Sequence, residues 1–337
     1  INQQPDELYN LGEKITFPIT IIASDGIYDF LQFSLICDGK EQKFPKETFD
    51  IAANEVKKIE KSILLIKKFI SDLKGTCRIK AYFEDSPSDY VFSNEFKISN
   101  SVNISLEESA KEFNPGDSVA VKGTARKENG ENVNGFLELA LIMNSESDAK
   151  MYYETVSGGV FSLNFSILEK AKSGQYLVRI RIYEKDPLGE VSNNGLTNYN
   201  IFVKQVPTSL EIVFENKNAG PGEELKVKSV LHDQTGEKID SIAIMSIKNS
   251  NNKILEQKEV RTDEFLAFPI MYNEQPLNWT VVSVSNKITA NSVFEIGQKE
   301  SAKVDVINRT VVVTNTGNIP YNETLLVKIG NSTVNIN

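Results

Sequence analysis

A chain of 337 residues with 40% apolar and 25% charged residues has material for two to four globular domains and is too apolar for disorder. Its net charge of −9 opposes a phosphate backbone, whose binding needs clustered Lys and Arg, and so excludes nucleic acid as a partner. No run approaches the roughly 20 apolar residues of a membrane span, since Ile63–Ile66 is cut at once by Lys67 and Lys68; a membrane is reached only through a segment outside this chain.

From the N-terminus, LGEKITFPIT at Leu11 reads as a turn followed by an alternating strand. Pro18 falls on its polar side, where a missing donor is tolerated only at a sheet edge. DFLQFSLIC (Asp29–Cys37) reads as a second strand, GTCRIKAYF from Gly75 as a third and SNEFKIS (Ser93–Ser99) as a fourth. In between, Val56, Ile59, Ile63, Ile66 and Ile70 follow a 3–4–3–4 spacing that fits an amphipathic helix. The competing reading is a strand over Val56–Ile66 and a short helical turn at Lys67–Leu73.

The same order then returns twice. NPGDSVAVKGT from Asn114, NGFLELALIM (Asn134–Met143), GQYLVRIRIY from Gly174 and NYNIFVK (Asn198–Lys204) form a second set. GPGEELKVKSV from Gly220, DSIAIMSI (Asp240–Ile247), LNWTVVSV from Leu277 and NSVFEIG (Asn291–Gly297) form a third. The second set carries GGVFSLNFSILEKAKSGQ where Val56–Ile70 stands in the first, plainly a strand and a turn, so repeat order favours the strand. A period of roughly 100 residues matches one sandwich per repeat rather than a solenoid. Tyr176, Val178, Ile180 and Ile182 alternate with Leu177, Arg179, Arg181 and Tyr183, which puts one face on a core and the other in water, as in antiparallel sheets. The expected fold is all-β: tandem antiparallel immunoglobulin-like sandwiches at 1–99, 100–205 and 206–298 and a partial module at 299–337, joined by short linkers into an elongated, semi-rigid rod.

The repeated PG-acid turn, the alternating strand after it and the NG or TG turns in ENGENVNG (Glu128–Gly135) and QTGEKIDS (Gln234–Ser241) resemble the immunoglobulin-like modules of archaeal and bacterial surface proteins; macroglobulin-type domains share the feature. The tail VVVTNTGNIPYNETLLVKIG (Val311–Gly330) resembles the start of a CARDB-type adhesion module, and its shortness suggests a natural protein continuing past Asn337. The resemblance implies display, adhesion or scaffolding and carries no catalytic residue over.

Cys37 extends the inward set Leu31, Phe33 and Leu35, and Cys77 begins the inward set Cys77, Ile79, Ala81 and Phe83. Repeat order makes their strands neighbours in one sheet, so a disulfide is within reach; two reduced core thiols are the other reading. The bond would close a loop of about 40 residues, about 4 kcal/mol on the chain-entropy model, and would indicate an oxidising, extracellular setting. Tyr176 and Trp279 occupy the position of Cys77 in the other repeats. His232 is the single histidine, set among turn residues, which leaves no zinc spacing and no triad. No phosphate-loop, dinucleotide or nucleophile-elbow motif occurs in a suitable context. Glu84, Asp85 and Asp89 in FEDSPSD are oxygen-ligand candidates without an EF-hand pattern; no metal and no cofactor is assigned. N-glycosylation sequons stand at Asn103, Asn164, Asn278, Asn308, Asn322 and Asn331.

The expected protein is therefore a non-enzymatic, extracellular cell-surface stalk, scaffold or adhesion ectodomain, with a protein, a glycan or a second copy of itself as partner. Two alternatives stand beside it: a glycan- or protein-binding accessory region of a larger secreted enzyme, and a self-assembling surface-layer or filament subunit. For the binding alternative the candidate contacts are Phe265, Phe268 and Tyr272 and the pair Tyr152–Tyr153.

Overall fold

In a computed structural model, residues 4–308, 310–329 and 332–336 are described. They are almost wholly β: Lys67–Ile70 (α1) is one α-helical turn, and strands account for nearly all other regular structure. The chain divides into two compact units, residues 1–168 with 173–204 and residues 169–172 with 205–337.

The first unit contains two sandwiches. In chain order the first has strands Leu8–Asn10 (β1), Lys14–Ile22 (β2), Ile27–Cys37 (β3), Lys40–Lys43 (β4), Glu47–Ile51 (β5) and Val56–Leu64 (β6), then α1, Gly75–Phe83 (β7), Ser86–Phe92 (β8) and Phe96–Ser99 (β9). Its large sheet runs β1-β9-β7-β3-β4, with β5 also on β3 and β8 also on β7; β2 and β6 pair on the opposite side. The inward residues of both layers form one core, including Ile15, Phe17, Leu35, Ile79 and Ile98. Phe17 and Phe33 meet edge to face across it at 6.0 Å. Pro18 faces outward on β2, which among the described residues has β6 as its sole strand partner, so the missing N–H interrupts no second ladder there.

The second sandwich has strands Val102–Leu106 (β10), Glu112–Phe113 (β11), Ser118–Lys127 (β12), Gly135–Ile142 (β13), Lys150–Val156 (β14), Val160–Ser166 (β15), Gly174–Lys185 (β16) and Val191–Val203 (β17). A five-stranded sheet β11-β17-β16-β13-β14 faces β10-β12-β15. Val178, Ile180 and Ile182 are fully buried, as their alternation with Arg179 and Arg181 requires.

The second unit repeats the plan with Pro207–Phe214 (β18), Asn218–Ala219 (β19), Glu224–Asp233 (β20), Lys238–Ile239 (β21), Ile242–Lys248 (β22), Ile254–Arg261 (β23), Leu266–Pro269 (β24), Asn278–Ser285 (β25) and Ile288–Ile296 (β26). Sheet β19-β26-β25-β22-β23 faces β18-β20-β21, with β24 on β20. Trp279 lies at the centre of this core with Phe294 and Phe268. Beyond it, Ala302–Ile307 (β27) pairs Thr310–Asn315 (β28), and Leu325–Ile329 (β29) pairs Ser332–Ile336 (β30), as two separate hairpins.

One local device recurs in all three sandwiches. A short edge strand (β1, β11, β19) runs parallel to the last strand of its sheet, then a tight turn feeds the opposite layer. Gly12, Gly116 and Gly222 take φ of +94°, +85° and +84°, a conformation in which a Cβ is strained. The acid after each glycine accepts a hydrogen bond from the backbone N–H three residues earlier: Glu13 from Asn10 (3.0 Å), Asp117 from Asn114 (2.7 Å) and Glu223 from Gly220 (2.8 Å). The PG-acid signal in the sequence is therefore a side-chain-locked turn that moves the chain from one layer to the other.

Candidate functional site

Cys37 and Cys77 stand directly opposite one another on β3 and β7 and are disulfide-bonded. The bridge lies fully inside the first core, where the other two sandwiches place Tyr176 and Trp279. Asn103, Asn164, Asn278, Asn308 and Asn322 are all exposed, as an acceptor asparagine must be; Asn331 lies outside the described residues.

Other candidates are dispersed. His232 lies on β20 and not in a loop, its Nδ1 3.1 Å from the Gly236 carbonyl and its Nε2 3.4 Å from a Glu211 carboxylate oxygen. Its neighbour Asp233 is buried and ties the following turn, accepting from the Thr235 and Glu237 N–H groups and the Thr235 hydroxyl. Burial raises the pKa of Asp233, but these bonds and one from Gln205 outweigh it and hold the carboxyl below its ordinary range. The FEDSPSD carboxylates do not converge: Glu84 turns to Lys46 at 2.7 Å, while Asp89 stands on β8. Among the described residues no three His, Cys, Asp or Glu side chains are grouped so as to hold a metal ion. Phe268 is packed against Trp279, so Phe265, Phe268 and Tyr272 do not form one exposed row. Tyr152 packs on Phe165 across the sandwich at 5.0 Å, and its neighbour Tyr153 points to solvent.

A polar cluster joins the two sandwiches of the first unit. Asn10 and Asn193 have no solvent exposure at all. Asn10 Nδ2 donates to Asn193 Oδ1 (3.3 Å) and the Ser101 carbonyl (3.4 Å), while its Oδ1 accepts from the Asn129 N–H (3.1 Å). Asn193 Nδ2 donates to the Leu11 carbonyl (2.8 Å) and Glu184 (2.9 Å). Glu13 caps its own turn with one carboxylate oxygen and receives Asn129 Nδ2 (2.6 Å) and Lys127 Nζ (3.3 Å) with the other. Lys127 also pairs with Glu131 at 2.5 Å. At the margin, Glu128 takes Lys97 at 2.5 Å on one oxygen and the Ser99 hydroxyl on the other.

The electrostatics agree with this geometry. Burial disfavours the Lys127 ammonium, but the bond to Glu131 and the charges of Glu184 and Glu13 outweigh it and lift its pKa above the usual lysine value. The bond from Lys127 holds Glu131 below the ordinary carboxylate range, and Lys97 and Ser99 do the same for Glu128. Sequence reasoning reads Glu128, Asn129 and Glu131 only as part of the ENGENVNG turn and gives Asn10 and Asn193 no role.

No helix among the described residues is long and apolar enough to cross a membrane. No protein-family model matches the chain, and no curated protein does. Among solved structures it is similar to a tetra-tandem repeat in the extending region of a large adhesion protein, at 10% identity and a TM-score of 0.35, over 90% of this chain and 75% of that one. It is also similar to trypsin-activated α2-macroglobulin from Escherichia coli (13% identity, TM-score 0.26) and to the methylamine-reacted Salmonella protein (12%, 0.26). Each of these matches covers 89% of this chain, which spans about a quarter of either macroglobulin. Likeness at this level separates neither one β-sandwich family nor one function from another.

Proposed function

We propose that this chain is a non-enzymatic extracellular segment of a cell-surface protein, a spacer or adhesion ectodomain built of immunoglobulin-like modules. The observation that carries this reading is the joint. Burying an amide or a charge costs free energy unless its hydrogen bonds are met inside the protein. Here Asn10 and Glu13 of the first sandwich meet theirs in part with Asn193, Asn129 and Lys127 of the second, so these bonds hold only while the two sandwiches keep this placement. Such a joint resists bending, which a spacer needs and a simple tether does not. The Cys37–Cys77 bond supports an oxidising compartment, since such bonds persist outside reducing cytosol.

Two measurements test it. Spin labels at the exposed positions Lys58 and Ser162, one on each sandwich, should give a single narrow distance distribution that Lys127→Met combined with Asn193→Ala broadens. A broad distribution in the wild type would remove the stiff-spacer reading. In cells that make the protein, a membrane-impermeant amine label should reach it on intact cells; protection until lysis would place it inside and end the extracellular reading.

A further inference from the structure

The outward face of the large sheet in the first sandwich carries aromatic rings that serve no core. All seven residues of β8 are exposed, and its Tyr90, Val91 and Phe92 lie outside the buried cluster. Pairing across β3, β7 and β8 sets two rows side by side: Gln32, Tyr82 and Tyr90, then Ser34, Lys80 and Phe92. The Tyr90 and Phe92 rings are tilted against each other with centroids 5.0 Å apart; both residues are exposed, with Lys80 over one face of Tyr90 and Arg78 over one face of Phe92. Lys80 Nζ sits between two phenol rings, 4.8 Å from the centre of Tyr82 and 4.7 Å from that of Tyr90. Among the described residues it has no carboxylate within ion-pair distance, whereas its neighbour Arg78, over Phe92, is paired with Glu95 at 2.7 Å. Beneath the second row the Ser34 hydroxyl is fully buried on this polar side of the sheet and has no hydrogen-bond partner. The face runs on into a cleft of about 280 Å³ bordered by Ile36, Asp38, Thr76, Arg78, Phe92 and Glu95.

Exposed aromatic groups gathered on one face mark a contact surface rather than incidental exposure. The occupant follows from the chemistry. A ring face is electronegative, so it attracts the electropositive C–H bonds that line one side of a sugar ring, and phenol hydroxyls and Gln32 supply polar contacts at the rim. An ammonium held by two rings without a carboxylate is matched by an anionic substituent. We propose that this face binds an anionic polysaccharide, with sugar rings stacked on Tyr90 and Phe92 and a carboxylate at Lys80. The proposal rests on the geometry of this one sandwich and stands whether or not the spacer reading does.

The test uses the whole chain and oligogalacturonate as the probe, with neutral dextran and dextran sulfate beside it, followed by calorimetry and by affinity electrophoresis. Oligogalacturonate should bind and dextran should not. Tyr90→Ala and Phe92→Ala should each weaken binding about tenfold, Tyr90→Phe should retain it, and Lys80→Gln should weaken it by a similar factor and flatten its salt dependence. Tyr153→Ala, which removes a still more exposed ring on the second sandwich, should change nothing. Unaltered circular dichroism melts show that the variants are folded. Absence of oligogalacturonate binding overturns the proposal. So does binding that Tyr90→Ala and Phe92→Ala leave intact, or a preference for dextran sulfate that ignores the rings, which marks attraction by charge alone.

Discussion

At Asn10, Asn114 and Gly220 the same backbone N–H is held by the carboxylate three residues on, and Glu13 alone of the three acids turns its second oxygen to a neighbouring sandwich. A turn device thus becomes half of a joint by a change in what lies beside it. The Cys37–Cys77 bridge works at the same scale. It spans 40 residues of sequence, and on the chain-entropy model its loss costs about 4 kcal/mol. Reduction should therefore destabilise the core around Leu35 and Ile79 by roughly that amount, read by hydrogen exchange. The single tryptophan, Trp279, is buried in the core of the second unit, so its fluorescence transition should not move. Equal loss by both probes would mean that the bond does not act where it lies.

At the scale of elements, Val56–Leu64 is the strand that repeat order favours, against the helix that its isoleucine spacing suggests. It pairs with β2 in unbroken register, Ile15 opposite Ile63 and Ile19 opposite Ile59. Its inward positions are Lys57, Ile59, Lys61 and Ile63. The two lysines lay their stems over the core's aromatic edge, Lys57 Nζ 4.7 Å from the Phe49 ring centre and Lys61 Nζ 5.8 Å from that of Phe33. Charged residues on the inward side erase the period of two, and the remaining isoleucines fall by chance at helical spacing. Gly123 on β12 illustrates the opposite constraint, a small residue in a strand interior. A Cβ there would stand 2.3 Å from the Ser105 carbonyl oxygen and 2.7 Å from Phe161 Cζ. Removing a strand glycine gains about 0.5–1 kcal/mol of backbone entropy, while forcing a tight core apart costs about 1–3 kcal/mol. Gly123→Ala should accordingly lower the denaturation midpoint of the second sandwich, and a raised midpoint would show that β10 yields freely.

For the molecule as a whole, the joint in the first unit is where acid should act. Glu128 and Glu131 titrate below the ordinary carboxylate value of 4.5 when folded, so their contribution is complete above that pH and is lost as pH falls through the lower folded values. Lys127 is shifted upward, so its contribution is complete below 10.5 and is lost only in strong alkali. The spin-label distance between the two sandwiches should thus stay narrow through neutral pH and broaden below about 4.5 while each core remains folded; an unchanged width at pH 3 would show that the apolar margin alone fixes the joint. Asp263 in the second unit is held near a pKa of about 2 by Lys228 and Lys238, so the link it makes between β20 and β21 should persist further into acid. The all-β class and the neighbouring placement of Cys37 and Cys77 were legible in the sequence because they depend on local signals: alternation, a glycine at positive φ with an acid after it, and one segment aligned on another. The polar joint was not, because Asn10 meets Asn193 across 183 residues and Glu13 meets Lys127 across 114, and nothing local tells a turn-forming asparagine from one buried between sandwiches. The aromatic face was equally hidden, since the register of β3, β7 and β8 decides which rings stand beside Lys80, and register is set by the core on the other side of the sheet.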